Sequence, residues 1–108
     1  MKPKNKLSDI VLIPFPFTNL SDYKVRPALI LTVNQQDVVL VFITHIKPKD
    51  KEFICINPTK ENGLKEISYI KYTKIVTLES KLIIGSLGNL ENKIFQEVKE
   101  KIKKFLNL

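Results

Sequence analysis

The chain has 108 residues, 44% of them hydrophobic and 27% charged, which suits one globular domain large enough to bury a core. A single cysteine and a single histidine exclude an internal disulfide framework and argue against a His/Cys metal centre, so no metal or other cofactor is expected. No apolar run approaches a membrane span, and the basic start Met1–Lys6 lacks the apolar stretch of a signal peptide, so the expected location is cytoplasmic, away from membranes.

The formal net charge of +7 and a pI near 9.5 suit a polyanionic partner, either nucleic acid or an acidic protein. Richness in Lys, Ile and Asn along the whole chain gives the same pI through compositional bias alone.

Ile10 to Phe17 is almost wholly apolar and contains Pro14 and Pro16. A proline cannot donate to a sheet ladder, so this strand is expected at an edge or to end early. Phe15 and Phe17 are expected to pack in the core; lining a groove for base stacking is the alternative. Thr18 to Val25 is a polar loop whose Asn19, Ser21 and Asp22 are turn formers. Pro27 to Val33 and Val38 to Thr44 are continuous apolar runs on either side of Asn34-Gln35-Gln36-Asp37, which predicts a hairpin with a four-residue turn. Antiparallel pairing then brings Arg26, at the start of one strand, near Thr44 and His45, at the end of the other.

Ile46 to Lys51 is expected to be an exposed basic loop and Glu52 to Ile56 a short strand, with Cys55 a buried structural thiol. Glu66 to Leu78 predicts one or two strands, and Ser80 to Gly88 fits either a helical turn or a strand. Apolar residues at Ile94, Phe95, Val98, Ile102, Phe105 and Leu106 have helical spacing and predict a C-terminal helix over Glu91–Leu106, capped by Asn89 or Glu91. Its lysines at 99, 101, 103 and 104 suit the helix dipole and read as a solvated face. The expected fold is mainly β: one domain over residues 1–108, a small, partly open barrel of five to seven strands with a helix packed on it.

Arg26 is the only arginine among eighteen Lys plus Arg residues. A chain that meets its general need for positive charge with lysine has kept one guanidinium, whose planar fork holds carboxylate or phosphate and stays charged at any working pH. A structural ion pair with Asp9 or Asp22 is the plainer alternative. The three glycines are too scattered for a phosphate loop, and no Ser/His/Asp order stands out. What remains is Arg26, Thr44 and His45 at one hairpin end. A guanidinium and a hydroxyl suit a phosphate, and in RNA the neighbouring 2′-OH is itself a nucleophile, so no metal is required. His45 has the pKa range of a general base, but strand alternation turns it away from Thr44. The candidate substrate-binding residues are Thr18, Asn19, Ser21 and Lys24 of the polar loop, with His45 and Lys47 beyond the hairpin.

Ser8-Asp9-Ile10-Val11-Leu12-Ile13-Pro14-Phe15-Pro16-Phe17-Thr18, then Lys24-Val25-Arg26-Pro27-Ala28-Leu29-Ile30-Leu31, resembles the start of the MazF/PemK family of toxin endoribonucleases. Phe42-Ile43-Thr44 matches the family's apolar strand ending in Ile-Thr, and Ser68 to Glu79 with Gly88-Asn89-Leu90 resembles its C-terminal half. The resemblance implies an SH3-like barrel that dimerises and a metal-independent cleavage of single-stranded RNA, leaving a 2′,3′-cyclic phosphate and a 5′-OH. It implies Arg26 as acid/base and charge stabiliser, Thr44 as phosphate binder, a Thr18–Val25 loop over the substrate, and an acidic antitoxin that occupies the RNA groove. Ser8 stands where the family usually has glycine, the loop before Arg26 lacks the glycine common there, and His45 replaces what is often a small hydroxyl residue. Two non-enzymatic alternatives stay open: a toxin of the same fold that poisons DNA gyrase by protein contact, and a nucleic-acid-binding SH3-like module.

Overall fold

The computed structural model describes residues 5–15 and 24–108. Six strands form one antiparallel sheet curled into a half-barrel: β1 Asp9–Phe15, β2 Lys24–Asn34, β3 Asp37–Thr44, β4 Ile54–Ile56, β5 Ser68–Glu79 and β6 Gly85–Asn89. Their order is β4-β5-β3-β2-β1-β6, so β4 and β6 are the edges. A 3-10 turn, Ser80–Leu82, joins β5 to β6, which resolves the ambiguous 80–88 stretch into a turn and then a strand. Helix α1, Asn92–Phe105, ends the chain.

Strand alternation divides the apolar residues between the two faces of the sheet. One face carries Ile10, Leu29, Val41, Ile43, Ile54, Ile56 and Ile70, and α1 covers it with Phe95 and Val98. Burying each of those two helix side chains contributes roughly 1.5–3 kcal/mol. The other face carries Val11, Ile13, Ala28, Ile30, Val38, Leu40 and Phe42.

The prolines sit where pairing permits them. β1 pairs with β6 only over Asp9 to Leu12, so Pro14 lies beyond that ladder. The pairing of β2 with β3 begins at Ala28, one residue past Pro27. Both prolines are paired within the β1–β2 ladder, Pro14 with Val25 and Pro27 with Leu12, and on its other side each lies beyond the ladder. Pro16, Phe17 and the packing expected of Phe15 lie outside the described residues.

Several boundaries differ from expectation. β2 starts at Lys24, so Lys24 and Val25 belong to the strand and not to the loop. Asn34 faces Asp37, which leaves a turn of Gln35 and Gln36 alone, with Gln35 in the left-handed region at φ 57°. Cys55 is exposed, not buried: in β4 the flanking Ile54 and Ile56 point into the core and alternation turns the thiol outward. Phe105 and Leu106, counted in the helix's apolar stripe, are each 48% exposed, because the stripe outruns the sheet. Glu91 is the N-cap, and its side chain makes no capping hydrogen bond.

Two turns close the barrel ends. Ser8 holds φ 71°, its N–H donates to the Ile30 carbonyl at 2.9 Å, and its carbonyl accepts from the Leu90 N–H at 2.8 Å. A side chain on Gly88 would strike the Glu61 carbonyl oxygen, built at 2.0 Å, so glycine alone lets the 59–63 loop approach β6. That loop is knotted by the buried Asn62, whose Oδ1 accepts from the Thr59 and Leu64 N–H groups while its Nδ2 donates to the Asn57 carbonyl.

Candidate active site at the open end of the β2–β3 hairpin

Ala28 faces Phe42 across β2 and β3. Continuing that antiparallel register by two residues in each strand sets Arg26 opposite Thr44, on the same face as Ala28 and Phe42. On the β1 side Arg26 is opposite Ile13. Arg26 and Thr44 are thus the polar end of an otherwise apolar face. Both are half-buried, and the Arg26 Nε is shut off from solvent. A guanidinium whose stem is packed into a sheet loses little freedom on binding an anion.

Asp9, one of the two partners the sequence offers for Arg26, stands four residues along β1 from Ile13, about 13 Å away by strand rise. Its Oδ2 accepts the Lys6 N–H at 2.9 Å. Asp22 lies outside the described residues.

Thr44 closes β3, and its Oγ1 accepts the Ile46 N–H at 3.1 Å. That bond takes a lone pair and leaves the hydroxyl proton to donate elsewhere. It also turns the chain away from the sheet into the 46–51 segment. His45 and Lys47 follow on this bend, both exposed. Lys24 is exposed at the start of β2, opposite Phe15. Thr18, Asn19 and Ser21 lie outside the described residues. Of the residues singled out in the sequence, Arg26 and Thr44 each lie two residues beyond the last β2–β3 pair, at the same hairpin end, with His45 and Lys47 just beyond Thr44.

The fold adds an ion pair and an aromatic pair that the sequence pattern does not announce. Lys71 Nζ donates to both carboxylate oxygens of Asp50, at 2.8 and 2.7 Å, and the Asp50 Oδ1 also accepts the Glu52 N–H at 2.9 Å. The Lys71 hydrogen bonds, then the Glu52 N–H, hold the Asp50 carboxyl below its ordinary value. The pair ties the exposed 46–51 segment to β5. Tyr69 stands directly opposite Thr44 on β5, and its ring meets that of Phe53 edge to face, centroids 5.3 Å apart. Among the described residues no group of three or more His, Cys, Asp or Glu is placed to hold a metal ion, and no helix is long and apolar enough to cross a membrane.

The fold has solved counterparts. It is similar to the Mycobacterium tuberculosis toxin MazF-mt6, with a TM-score of 0.73 and 20% identity over 93% of this chain and 97% of that one. It is similar to MazF from Deinococcus radiodurans, with a TM-score of 0.79 and 14% identity over 99% of this chain and all (100%) of that one. A mycobacterial endoribonuclease in complex with its cognate antitoxin superposes with a TM-score of 0.75 and 19% identity over 97% of each chain. At these identities the likeness concerns the fold. No curated protein matches the sequence. The family of PemK-like, MazF-like toxins of type II toxin-antitoxin systems matches over residues 6–106. The chain belongs to that family of toxins.

Proposed function

We propose that this toxin is a metal-independent endoribonuclease that cuts single-stranded RNA through Arg26 and Thr44. The observation that supports the proposal is the Ala28–Phe42 pair, because continuing its register by two residues sets the one arginine opposite Thr44 at the open end of the β2–β3 hairpin. In the reaction the 2′-oxygen attacks the adjacent phosphorus as its proton passes to solvent water, and the bond to the 5′-oxygen breaks. The leaving oxygen takes up a proton from solvent water, giving 2′,3′-cyclic phosphate and 5′-OH ends. The Arg26 guanidinium neutralises the charge that grows on the phosphoryl oxygens, and the Thr44 hydroxyl donates a hydrogen bond to the same group. Lys24, His45 and Lys47, exposed around the pair, engage the flanking backbone, with Thr18, Asn19 and Ser21 assigned to the same task.

The partner in this reading is an acidic antitoxin protein, and the working unit is a homodimer in the cytoplasm. A net charge of +7 suits both RNA and an acidic protein. The similar mycobacterial endoribonuclease is found with its cognate antitoxin.

The test is cleavage of a long single-stranded RNA in EDTA by the purified protein and by Arg26→Ala, with the new ends identified. Discrete cuts ending in 2′,3′-cyclic phosphate, lost in the variant, are expected. A folded wild type that cleaves no RNA refutes the proposal and makes DNA gyrase the next partner to test.

A further inference from the structure

Tyr69 is paired with Thr44, on the face to which the continued β2–β3 register brings Arg26. β3 and β5 put Tyr69 directly opposite Thr44, and β4 puts Cys55 opposite Tyr69. Directly opposite residues share a face, with Cβ atoms about 4.5–5.5 Å apart. Tyr69's chain neighbours Ser68 and Ile70 turn to the other face and are buried, at 4% and 0% exposure, while Tyr69 itself is half-exposed. Phe53 is half-exposed too and meets Tyr69 at an interplanar angle of 89°. A perpendicular contact of this kind sets one ring's edge against the other's face and braces the tyrosine ring, which is still half-exposed to a ligand. Next along β5 on the same face, Lys71 is locked to Asp50, so the side of the platform is closed by an ion pair and not by a mobile lysine.

We propose that Tyr69, braced by Phe53, is a stacking platform for one nucleobase of the RNA next to the phosphodiester held by Arg26 and Thr44. It is thereby a determinant of where the chain cuts. The proposal rests on the ribonuclease reading above. The spacing fits: a Cβ separation of about 5 Å from Thr44 is on the scale between a phosphate and a base of an adjoining nucleotide. Stacking needs a π face and tolerates any base, so this site sets which nucleotide is gripped, and hydrogen-bonding groups elsewhere choose its identity.

The test uses a short RNA that contains one mapped cut site, and two copies of it in which the nucleotide on one or the other side of the cut lacks its base. Wild type, Tyr69→Phe and Tyr69→Leu are compared for kcat/KM, with thermal melting as a check on folding. One of the two abasic substrates is expected to react roughly tenfold more slowly with wild type and Tyr69→Phe. Tyr69→Leu is expected to lose about the same factor on the intact RNA and then to be indifferent to the missing base. A folded Tyr69→Leu that keeps the abasic penalty, or a wild type indifferent to both abasic positions, overturns the platform while cleavage itself stands. A wild type that cleaves none of the substrates fails one step earlier, and the platform falls with the ribonuclease reading.

Discussion

The Thr44 Oγ1 accepts the N–H of Ile46 two residues on, at 3.1 Å, and this one bond both ends β3 and orients the hydroxyl. With a lone pair engaged by the backbone, the hydroxyl proton is the group left to offer a ligand. Thr44→Val keeps the shape and removes both functions. Cleavage is expected to fall about 10- to 100-fold, and stability by roughly 1 kcal/mol from the lost hydrogen bond. Thr44→Ser, which retains the hydroxyl, should recover most of the rate. Single-turnover cleavage of a defined RNA, alongside a denaturant melt, separates the two effects.

Ser8 occupies a left-handed backbone conformation, φ 71°, which glycine adopts without strain. Its N–H and carbonyl bridge Ile30 and Leu90, so the conformation is imposed by both neighbours. A non-glycine residue there costs on the order of 1 kcal/mol. Ser8→Gly is expected to raise stability by up to about that amount, offset in part by the greater freedom of glycine in the unfolded chain. A chemical denaturation midpoint that shifts upward with an unchanged slope is the expected result; a lower midpoint would show that the Ser8 side chain contributes something beyond its backbone.

Asp50 anchors the segment that leaves Thr44. Lys71, donating to both its oxygens, lowers its pKa on folding, and the Glu52 N–H does so further. The folded state therefore favours the ionised carboxylate: the pair's contribution is complete above the ordinary value of 3.8 and fades as the pH falls through the lower folded-state value. In NMR the Glu52 amide proton should titrate with Asp50, at an apparent pKa below 3.8, with the 46–51 signals broadening as the anchor is lost. Asp50→Asn should show the loosened segment already at neutral pH. A midpoint above the ordinary carboxylate value would mean that the ion pair is not formed in solution.

The β2–β3 hairpin that carries Arg26 and Thr44 was legible because it is local. Two apolar runs around a short polar turn pair antiparallel and put the Arg26 and Thr44 ends of β2 and β3 side by side, whether the turn has four residues, as expected, or two, as found. The shorter turn was hidden because Gln35 adopts a positive φ without being glycine or asparagine. The rest of the site depends on pairing between strands distant in sequence. Tyr69 meets Thr44 only after a register shift between Val41 and Ile43, and no periodicity within β3 or β5 announces such a shift. Cys55 was misjudged for a related reason. Its neighbours Ile54 and Ile56 made the run look buried on both sides, whereas β4 is an edge strand with a single packed face. The helix was read from its spacing to within a residue at each end, but how far its apolar stripe stays covered depends on the extent of the sheet beneath it.

In the proposed reaction Arg26 and Thr44 act on one phosphodiester. Arg26→Lys, Thr44→Val and the double variant, assayed for kcat/KM on the same RNA in EDTA, test this most directly. Arg26→Lys keeps the charge and loses the fork, and is expected to lose most of the activity. Groups that act as a unit are strongly non-additive, so the double variant should be little worse than the poorer single one. Losses that multiply, or an Arg26→Lys variant that cleaves at near wild-type rate, would contradict the assignment.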